Sequence, residues 1–172
     1  MPESKQEIGC IIMASGLSER YGKNKLLEKL DGREIILHTA GNLAAAGLGP
    51  LVVTRSSEVK ALMDREGICC VLHDGPKKSD TIHAGLEHLD PDKAGYLFMP
   101  ADQPLVRPES LKKMEEQFLR CPERAVRLSF GGTAGSPVLF PAFLRRSRRR
   151  WRFPRSARKE GCPCRALGSR LR

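Results

Sequence analysis

One loop of the 172-residue chain combines small residues with two cations in a way that suits phosphate binding. The loop follows a short apolar run directly. Its small residues let a phosphate approach the backbone, whose N–H groups can form an anion-binding nest. The spacing matches neither the dinucleotide-binding G-x-G-x-x-G pattern nor the P-loop pattern. The candidate triphosphate ligands are Ala14, Ser15, Gly16, Arg20 and Lys25, and the alternative is a solvated surface loop.

A carboxylate is the second candidate. Asp102 follows the apolar run 96–99, in the segment MPADQP. A carboxylate at the end of a buried strand is well placed to hold Mg²⁺ against substrate phosphates. The alternative is an ordinary turn or cap aspartate, since Asp is frequent in turns. Asp102 is the predicted metal ligand.

Alternating strand and helix patterns must position these groups. Short apolar runs predict strands at 8–13, 51–54, 68–72 and 96–99, and helical apolar stripes follow each of them. This alternation is typical of an α/β fold with an open, mostly parallel sheet and helices on both faces. Such sheets bind ligands beyond the carboxyl ends of their strands, so the loops after the first, third and fourth strands should face one crevice.

Two helix starts have capping candidates. Ser56 or Ser57 can cap the helix after the second strand, and Ser79 or Asp80 can cap the helix after the third. His73 lies at the end of the third strand and belongs to no recognisable metal-ligand or nucleophile signature. No functional role is therefore assigned to His73.

Two further segments have predicted conformations. Residues 26–30 are expected to be extended, before a turn at Asp31-Gly32. The glycine-rich segment 131–137 is expected to be a loop between strands at 126–130 and 138–140.

Three segments resemble one protein family. Residues 13–25, MASGLSERYGKNK, resemble the signature loop of the MobA-like nucleotidyltransferases. Residues 100–106, PADQPLV, resemble that family's metal-binding turn, and residues 135–140, GSPVLF, resemble its later Gly-x-Pro-Val-x-Phe segment. The resemblance covers about residues 7–143. It implies the Rossmann-like three-layer fold of the nucleotide-diphospho-sugar transferases.

The resemblance also implies an activity. Within the family, the Ala-Asp-Gln-Pro turn is typical of the molybdenum cofactor branch. Ala-Ser-Gly in the first loop is closer to the Ala-Ala-Gly of cytidylyltransferases than to the Ala-Gly-Gly of guanylyltransferases. The implied reaction transfers CMP from CTP to the phosphate of a molybdenum-bound pterin and releases pyrophosphate. The alternatives are a guanylyltransferase that uses GTP and a catalytically impaired relative that only binds a nucleotide.

The same resemblance implies residue roles. Asp102 would hold Mg²⁺ on the triphosphate, and Arg20 and Lys25 would stabilise the leaving pyrophosphate. The backbone at 14–16 would hold the nucleotide. The base and ribose would lie near the start of the third helix, although the three residues there could equally serve only as a helix cap: Ser79, Asp80 and Thr81.

The net charge of +10 is confined to the end of the chain. Residues 1–143 hold 18 basic and 19 acidic residues, whereas residues 144–172 hold 12 basic residues and one acid. We therefore predict a domain over 1–143 and a basic tail over 144–172, disordered or arising from a frameshift near 143–145. This tail makes the C-terminal part atypical for the fold. Family members carry a late Asp at the metal site, whereas no Asp follows Asp102 here.

Charge and composition also bear on location and partners. A basic tail could bind nucleic acid, but no nucleic-acid-binding signature accompanies it, so we do not expect that partner. The polar N-terminus shows no signal peptide and no apolar run reaches membrane-spanning length, which together predict a cytoplasmic protein without membrane contact. The expected partners are a nucleoside triphosphate, the molybdenum-pterin and a molybdenum hydroxylase apoenzyme.

Overall fold

The computed structural model describes residues 8–16, 22 and 24–146. Arg20 and residues 147–172 of the predicted tail lie outside the described residues. The elements, in chain order, are β1 (Gly9–Ala14), a 3-10 helix (Lys25–Leu27), β2 (Lys29–Leu30), β3 (Arg33–Glu34), α1 (Ile35–Ala45), β4 (Pro50–Thr54), α2 (Ser57–Arg65), β5 (Cys70–Leu72), α3 (Lys78–His88), β6 (Gly95–Pro100), α4 (Pro108–Arg120), β7 (Val126–Phe130), β8 (Thr133–Pro141) and α5 (Phe143–Arg146).

The central sheet has six strands in the order β5-β4-β1-β6-β8-β7. Strands β5, β4, β1 and β6 run parallel, β8 is antiparallel to β6, and β7 is antiparallel to β8. Strand β1 lies between two parallel neighbours because it is apolar on both faces, and Cys10, Ile11 and Ile12 are fully buried. The predicted α/β class with a mostly parallel sheet is confirmed.

Helices cover both faces of this sheet. Alternate residues of a strand point to opposite faces. Ile12 packs in the core cluster that α1, α2 and α4 share, whereas Ile11 packs in a second cluster that α3 joins. Helix α3 approaches β1 so closely at Gly85 that a Cβ there would lie 2.7 Å from Ile11 Cδ1. A side chain at position 85 would therefore push α3 away from the sheet.

The segment after the first loop differs from its prediction. Residues 25–27 form a 3-10 helix, whereas Lys29–Leu30 are extended as predicted and form β2. The Asn24 side chain accepts a hydrogen bond from the Leu26 N–H at 3.1 Å, and Leu26 is buried in the core. A local cap and one apolar anchor thus override the extended pattern. The predicted turn at Asp31-Gly32 is present, with positive φ at both residues.

The loop in the glycine-rich segment 131–137 is also shorter than predicted. The turn is confined to Gly131-Gly132, both with positive φ. Strand β8 already begins at Thr133, which pairs with Phe130 of β7. Pairing between the strands therefore extends through residues that composition alone places in a loop.

No helix in the described ranges is long and apolar enough to cross a lipid bilayer.

Helix α2 distinguishes the two capping candidates at its start. The Ser56 hydroxyl accepts a hydrogen bond from the Val59 N–H at 3.3 Å, so Ser56 is the N-cap. Ser57 is the first helical residue and is exposed. The hydroxyl of Ser57 therefore has no capping function.

Replacing Ser56 by Ala should lower the free energy of unfolding by about 1 kcal/mol, because the Val59 N–H loses its acceptor. The matched control is Ser57→Ala, which should change the free energy of unfolding by less than about 0.5 kcal/mol. Urea titrations of the two variants measure the difference. Equal losses in both variants would contradict the cap assignment.

Candidate functional site

A cleft of about 490 Å³ lies at the carboxyl ends of the parallel strands. Three predicted site residues line it: Ser15 and Gly16 after β1, and Thr81 on α3. Three cations that the sequence did not single out also line it: Arg55 after β4, and Lys77 and Lys78 at the start of α3. No carboxylate lines the cleft among the described residues. The charged groups of its walls are therefore all positive, and Met13, Pro76 and Pro100 add apolar surface.

Hydrogen bonds extend the sheet into the walls of this cleft. The Thr54 hydroxyl, at the end of β4, donates to the Ala14 carbonyl at 3.0 Å. The Ala101 N–H, just after β6, donates to the Met13 carbonyl at 3.2 Å. The first loop and the Asp102 turn are thus held side by side, as the predicted topology required.

The start of α3 is shifted from its predicted position. The N-cap residue is Lys77, so Ser79 and Asp80 lie inside the first turn and the predicted cap positions are wrong. The Asp80 carboxylate reaches back and accepts the Lys77 N–H at 2.9 Å. It packs against Gly75, where a Cβ would lie 2.6 Å from Asp80 Oδ2. Asp80 therefore stabilises the bend between β5 and α3.

Of the three residues predicted near the base and ribose, the structure brings Thr81 to the wall of the cleft. Thr81 is only 1% exposed, and its hydroxyl is the polar group on the inner side of the first turn of α3. Ser79 is half-buried and does not line the cleft. The helical turn explains the difference, because residues two apart on a helix point in different directions.

His73 is a further residue that the sequence did not point to as part of the site. Its Nε2 lies 2.7 Å from Ser15 Oγ and 3.1 Å from Thr81 Oγ1. Burial lowers the pKa of His73, the positive charge of Arg55 acts in the same direction, and Asp80 and Asp74 oppose it. The net effect on the pKa favours the neutral form of the imidazole. A hydrogen bond between residues 58 positions apart leaves no signal in local sequence patterns.

Asp102 lies in a turn that two side chains of α1 hold by hydrogen bonds. The Thr39 hydroxyl donates to the Ala101 carbonyl at 2.9 Å, and the Asn42 amide donates to the Pro104 carbonyl at 2.8 Å. The side chain of Asp102 is exposed between these two anchors. The turn is thus rigid on its inner side and presents a carboxylate to solvent at the carboxyl end of β6.

Lys25 is the predicted cation that the structure describes. It begins the 3-10 helix, and its side chain is exposed. The neighbouring Leu26 is 6% exposed and anchors this helix in the core. Lys25 thus presents an exposed ammonium from a backbone that Leu26 anchors in the core.

The residues around Asp102 fit one kind of metal site. Within the described ranges, no group of three or more His, Cys, Asp or Glu side chains could hold a metal ion. Mg²⁺ commonly binds through one or two carboxylates, with waters and substrate phosphates as its other ligands. A single exposed carboxylate therefore fits Mg²⁺ that arrives with a triphosphate and does not fit a closed protein cage.

Comparison with known proteins identifies related sequences. The chain matches the profile of the family described as MobA-like NTP transferase domain over residues 10–162. It is 36% identical over 116 residues to a 3-deoxy-manno-octulosonate cytidylyltransferase of Xanthobacter autotrophicus, covering 64% of this chain and 46% of that protein. It is 29% identical over 112 residues to a probable molybdenum cofactor guanylyltransferase of Thermococcus sibiricus, covering 63% of this chain and 54% of that protein. The chain thus spans about half the length of these curated relatives.

Solved structures share the fold. Rv0371c from Mycobacterium tuberculosis H37Rv matches with a TM-score of 0.71 and 22% identity over 81% of this chain and 73% of that one. The CMP:2-keto-3-deoxy-manno-octonic acid synthetase complexed with CTP matches with a TM-score of 0.59 and 20% identity over 67% of this chain and 48% of that one. At these identities the comparison shows the fold alone.

Proposed function

Because the chain belongs to the family of MobA-like NTP transferase domains, we propose that it is a nucleotidyltransferase that moves CMP from CTP to a phosphorylated acceptor. The observation that carries this proposal is the hydrogen bond of 3.2 Å between the Ala101 N–H and the Met13 carbonyl. It holds the phosphate-binding loop beside the Asp102 turn. Backbone donors and a carboxylate for a metal-bound triphosphate therefore share one edge of the sheet. This fold is the one the resemblance implied, that of the nucleotide-diphospho-sugar transferases.

The choice of CTP rests on the chemistry of the cleft walls. Cytosine presents two acceptors, O2 and N3, and one donor, whereas the Watson–Crick edge of guanine presents two donors and one acceptor. Arg55, Lys77 and Lys78 only donate, and no carboxylate lines the cleft among the described residues. Donor-rich walls favour cytosine. One relative is named a cytidylyltransferase and others are named guanylyltransferases, so the base preference is part of the proposal.

The proposed reaction is an in-line displacement at the α-phosphorus of CTP. A phosphate oxygen of the acceptor forms the new P–O bond, and the bond to the β-phosphate oxygen breaks with release of pyrophosphate. The protein positions the reactants and neutralises charge, and forms no covalent bond itself. The backbone at 14–16 holds the phosphates, Thr81 borders the base, and Lys25 neutralises the leaving pyrophosphate. Arg20 is proposed to assist Lys25. Ser79 and Asp80 do not line the cleft, and we propose that they act near the ribose only through the first turn of α3, which carries Thr81.

Asp102 is the residue that would hold Mg²⁺. When bound there, the ion neutralises the charge of the triphosphate and orients its phosphates. The exposed carboxylate at the end of β6 supports a divalent ion at this place. A solved structure of Rv0371c, 20% identical to this chain, is described as a complex with manganese, which is consistent with the use of a divalent metal. Substrate oxygens and waters would complete the proposed coordination.

The proposed acceptor is the phosphate of a molybdenum-bound pterin. It is supported by the Ala-Asp-Gln-Pro turn at 101–104 and by relatives named molybdenum cofactor guanylyltransferase. The proposal places the activity in residues 1–143, with 144–172 as a basic tail. It includes a cytoplasmic location and delivery of the product to a molybdenum hydroxylase apoenzyme.

A second candidate function is nucleotide binding without turnover. It is favoured by the absence, among the described residues, of a cluster of three potential metal ligands. In this case the cleft would bind CTP and no pyrophosphate would be released. Both candidate functions predict that the cleft binds CTP, but only the nucleotidyltransferase releases pyrophosphate.

The test is a nucleotide panel followed by a turnover assay. We expect CTP with Mg²⁺ to raise the melting temperature more than GTP, UTP or ATP does. We then expect CTP to release pyrophosphate only when the molybdenum-pterin is added. A larger shift with GTP would contradict the base preference. Stabilisation by CTP without pyrophosphate release would favour the binding protein, and no nucleotide effect would contradict both candidates.

A further inference from the structure

A part-buried contact beside the cleft joins three side chains, His73, Ser15 and Thr81, which we call the His73 junction. Nε2 of His73 lies 2.7 Å from Ser15 Oγ and 3.1 Å from Thr81 Oγ1. Ser15 and Thr81 line the cleft, whereas His73 does not. The imidazole therefore connects a residue of one wall to a residue of the other and does not itself line the cleft.

The backbone of His73 is fixed by the sheet. Its N–H donates to the Thr54 carbonyl at 3.0 Å, which extends the pairing of β4 with β5 by one residue. The Thr54 hydroxyl in turn donates to the Ala14 carbonyl at 3.0 Å. His73 is thus connected through the end of β4 to the end of β1, where the first loop begins. The backbone position of His73 is therefore set by the sheet.

The protonation pattern of the junction follows from its partners. The Ser15 hydroxyl donates to the Val53 carbonyl at 3.4 Å, which leaves the Ser15 oxygen as an acceptor. The tautomer with hydrogen on Nε2 satisfies this oxygen, and the Thr81 oxygen lies within reach of the same N–H. The neutral ring supplies this single donor to both walls.

The junction differs from a serine nucleophile activated by histidine. In such a pair a third group accepts from Nδ1 and orients the base. Nδ1 of His73 is buried and has no hydrogen-bond partner in the described part of the chain. The Ser15 hydroxyl is also directed to a backbone carbonyl. These contacts fit a role in holding Ser15 in place better than a role in activating it.

We propose that His73 is a positioning residue that fixes the distance between the Ser15 wall and the Thr81 wall of the nucleotide cleft, and thereby the affinity for the nucleotide. The inference rests on the proposed function for its kinetic consequence. The structural consequence is independent of that function, because the junction should restrain the first loop with no ligand present. His73 contacts no reacting atom, so it should affect binding more than chemistry.

Three variants separate the hydrogen bond from the volume of the ring. His73→Phe keeps a ring without a donor. His73→Gln places an amide nitrogen near the position of Nε2 with two hydrogens for the two oxygens, whereas His73→Asn places its amide near Nδ1 and falls short of them. We expect the KM for CTP to rise roughly three- to tenfold in the Phe and Asn variants, as the loss of one neutral hydrogen bond implies. We expect kcat to change less than twofold in all three variants, and the Gln variant to keep the wild-type KM.

A second measurement needs no nucleotide. Hydrogen exchange in the ligand-free protein, followed in peptides covering residues 9–16, should be at least about threefold faster in the Phe and Asn variants than in the wild type. The Gln variant should exchange like the wild type. Wild-type exchange in the Phe variant would overturn the inference, as would equal losses in the Gln and Asn variants. If the wild type neither binds nor turns over CTP, the proposed function fails while the exchange data still decide the role of His73.

Discussion

Replacing Asp102 by Asn should lower kcat for nucleotidyl transfer by about 100- to 1000-fold, the effect of removing one group that stabilises charge in a transition state. The amide keeps the shape of the side chain and removes the negative charge that would hold Mg²⁺ on the triphosphate. Asp102 is exposed and makes no hydrogen bond to another described residue. The free energy of unfolding should therefore change by less than about 0.5 kcal/mol.

Asp92→Asn is the matched control for this prediction. Asp92 is also an exposed aspartate in a loop beside β6, at the opposite end of that strand from Asp102. Pyrophosphate release should be measured across a Mg²⁺ titration in both variants. We expect the Asp102 variant alone to need more Mg²⁺ and to remain slow at saturation. Wild-type turnover in Asp102→Asn would remove Asp102 from the metal site and leave the proposed chemistry without its metal ligand.

Replacing Lys25 by Ala should lower kcat by about 100-fold, because the pyrophosphate that leaves would lose a neutralising cation. Lys25→Arg keeps the charge and should recover part of the rate, although its planar group cannot take up the same geometry as an ammonium. The backbone should remain in place in both variants, because the buried Leu26 and the Asn24 cap hold the 3-10 helix.

Two measurements test the role of Lys25: inhibition by the product pyrophosphate, and kcat. If Lys25 contacts the leaving group, the inhibition constant for pyrophosphate should rise in Lys25→Ala while the KM for CTP changes less. Lys29→Ala is the control, because Lys29 is an exposed lysine four residues further along the chain. Equal effects in the two variants would mean that Lys25 contributes only to the general positive charge of the surface.

The sequence alone determined the fold class and the loops that carry the candidate site. Apolar runs at 8–13, 51–54 and 96–99 identified three parallel strands within one residue at either end. This succeeded because strands buried on both faces must be continuously apolar and helices on the faces need a regular stripe. Because parallel strands have their carboxyl ends on one edge of the sheet, the sequence alone predicted that Ser15 and Asp102 lie on the same edge.

At the start of the 3-10 helix and at the start of α3, a single local contact decided against the sequence-based prediction. Asn24 caps a 3-10 turn where an extended segment was expected. Asp80 accepts the Lys77 N–H from inside α3, so neither Ser79 nor Asp80 is the N-cap. Residues such as Ser, Asp and Asn can satisfy a backbone N–H from more than one position, and composition cannot distinguish those positions.

Only the tertiary structure revealed what holds the site together. The contact between His73 and Ser15 spans 58 residues, and those of Thr39 with Ala101 and Asn42 with Pro104 each span 62. Periodicity and turn propensity report on neighbours within a few residues of each other. The long-range contacts depend on the order β5-β4-β1-β6, which brings the ends of four distant strands side by side. Spatial neighbours at that edge are set by strand order, so local patterns located the ligand-binding loops and the packed sheet determined the hydrogen bonds that fix them.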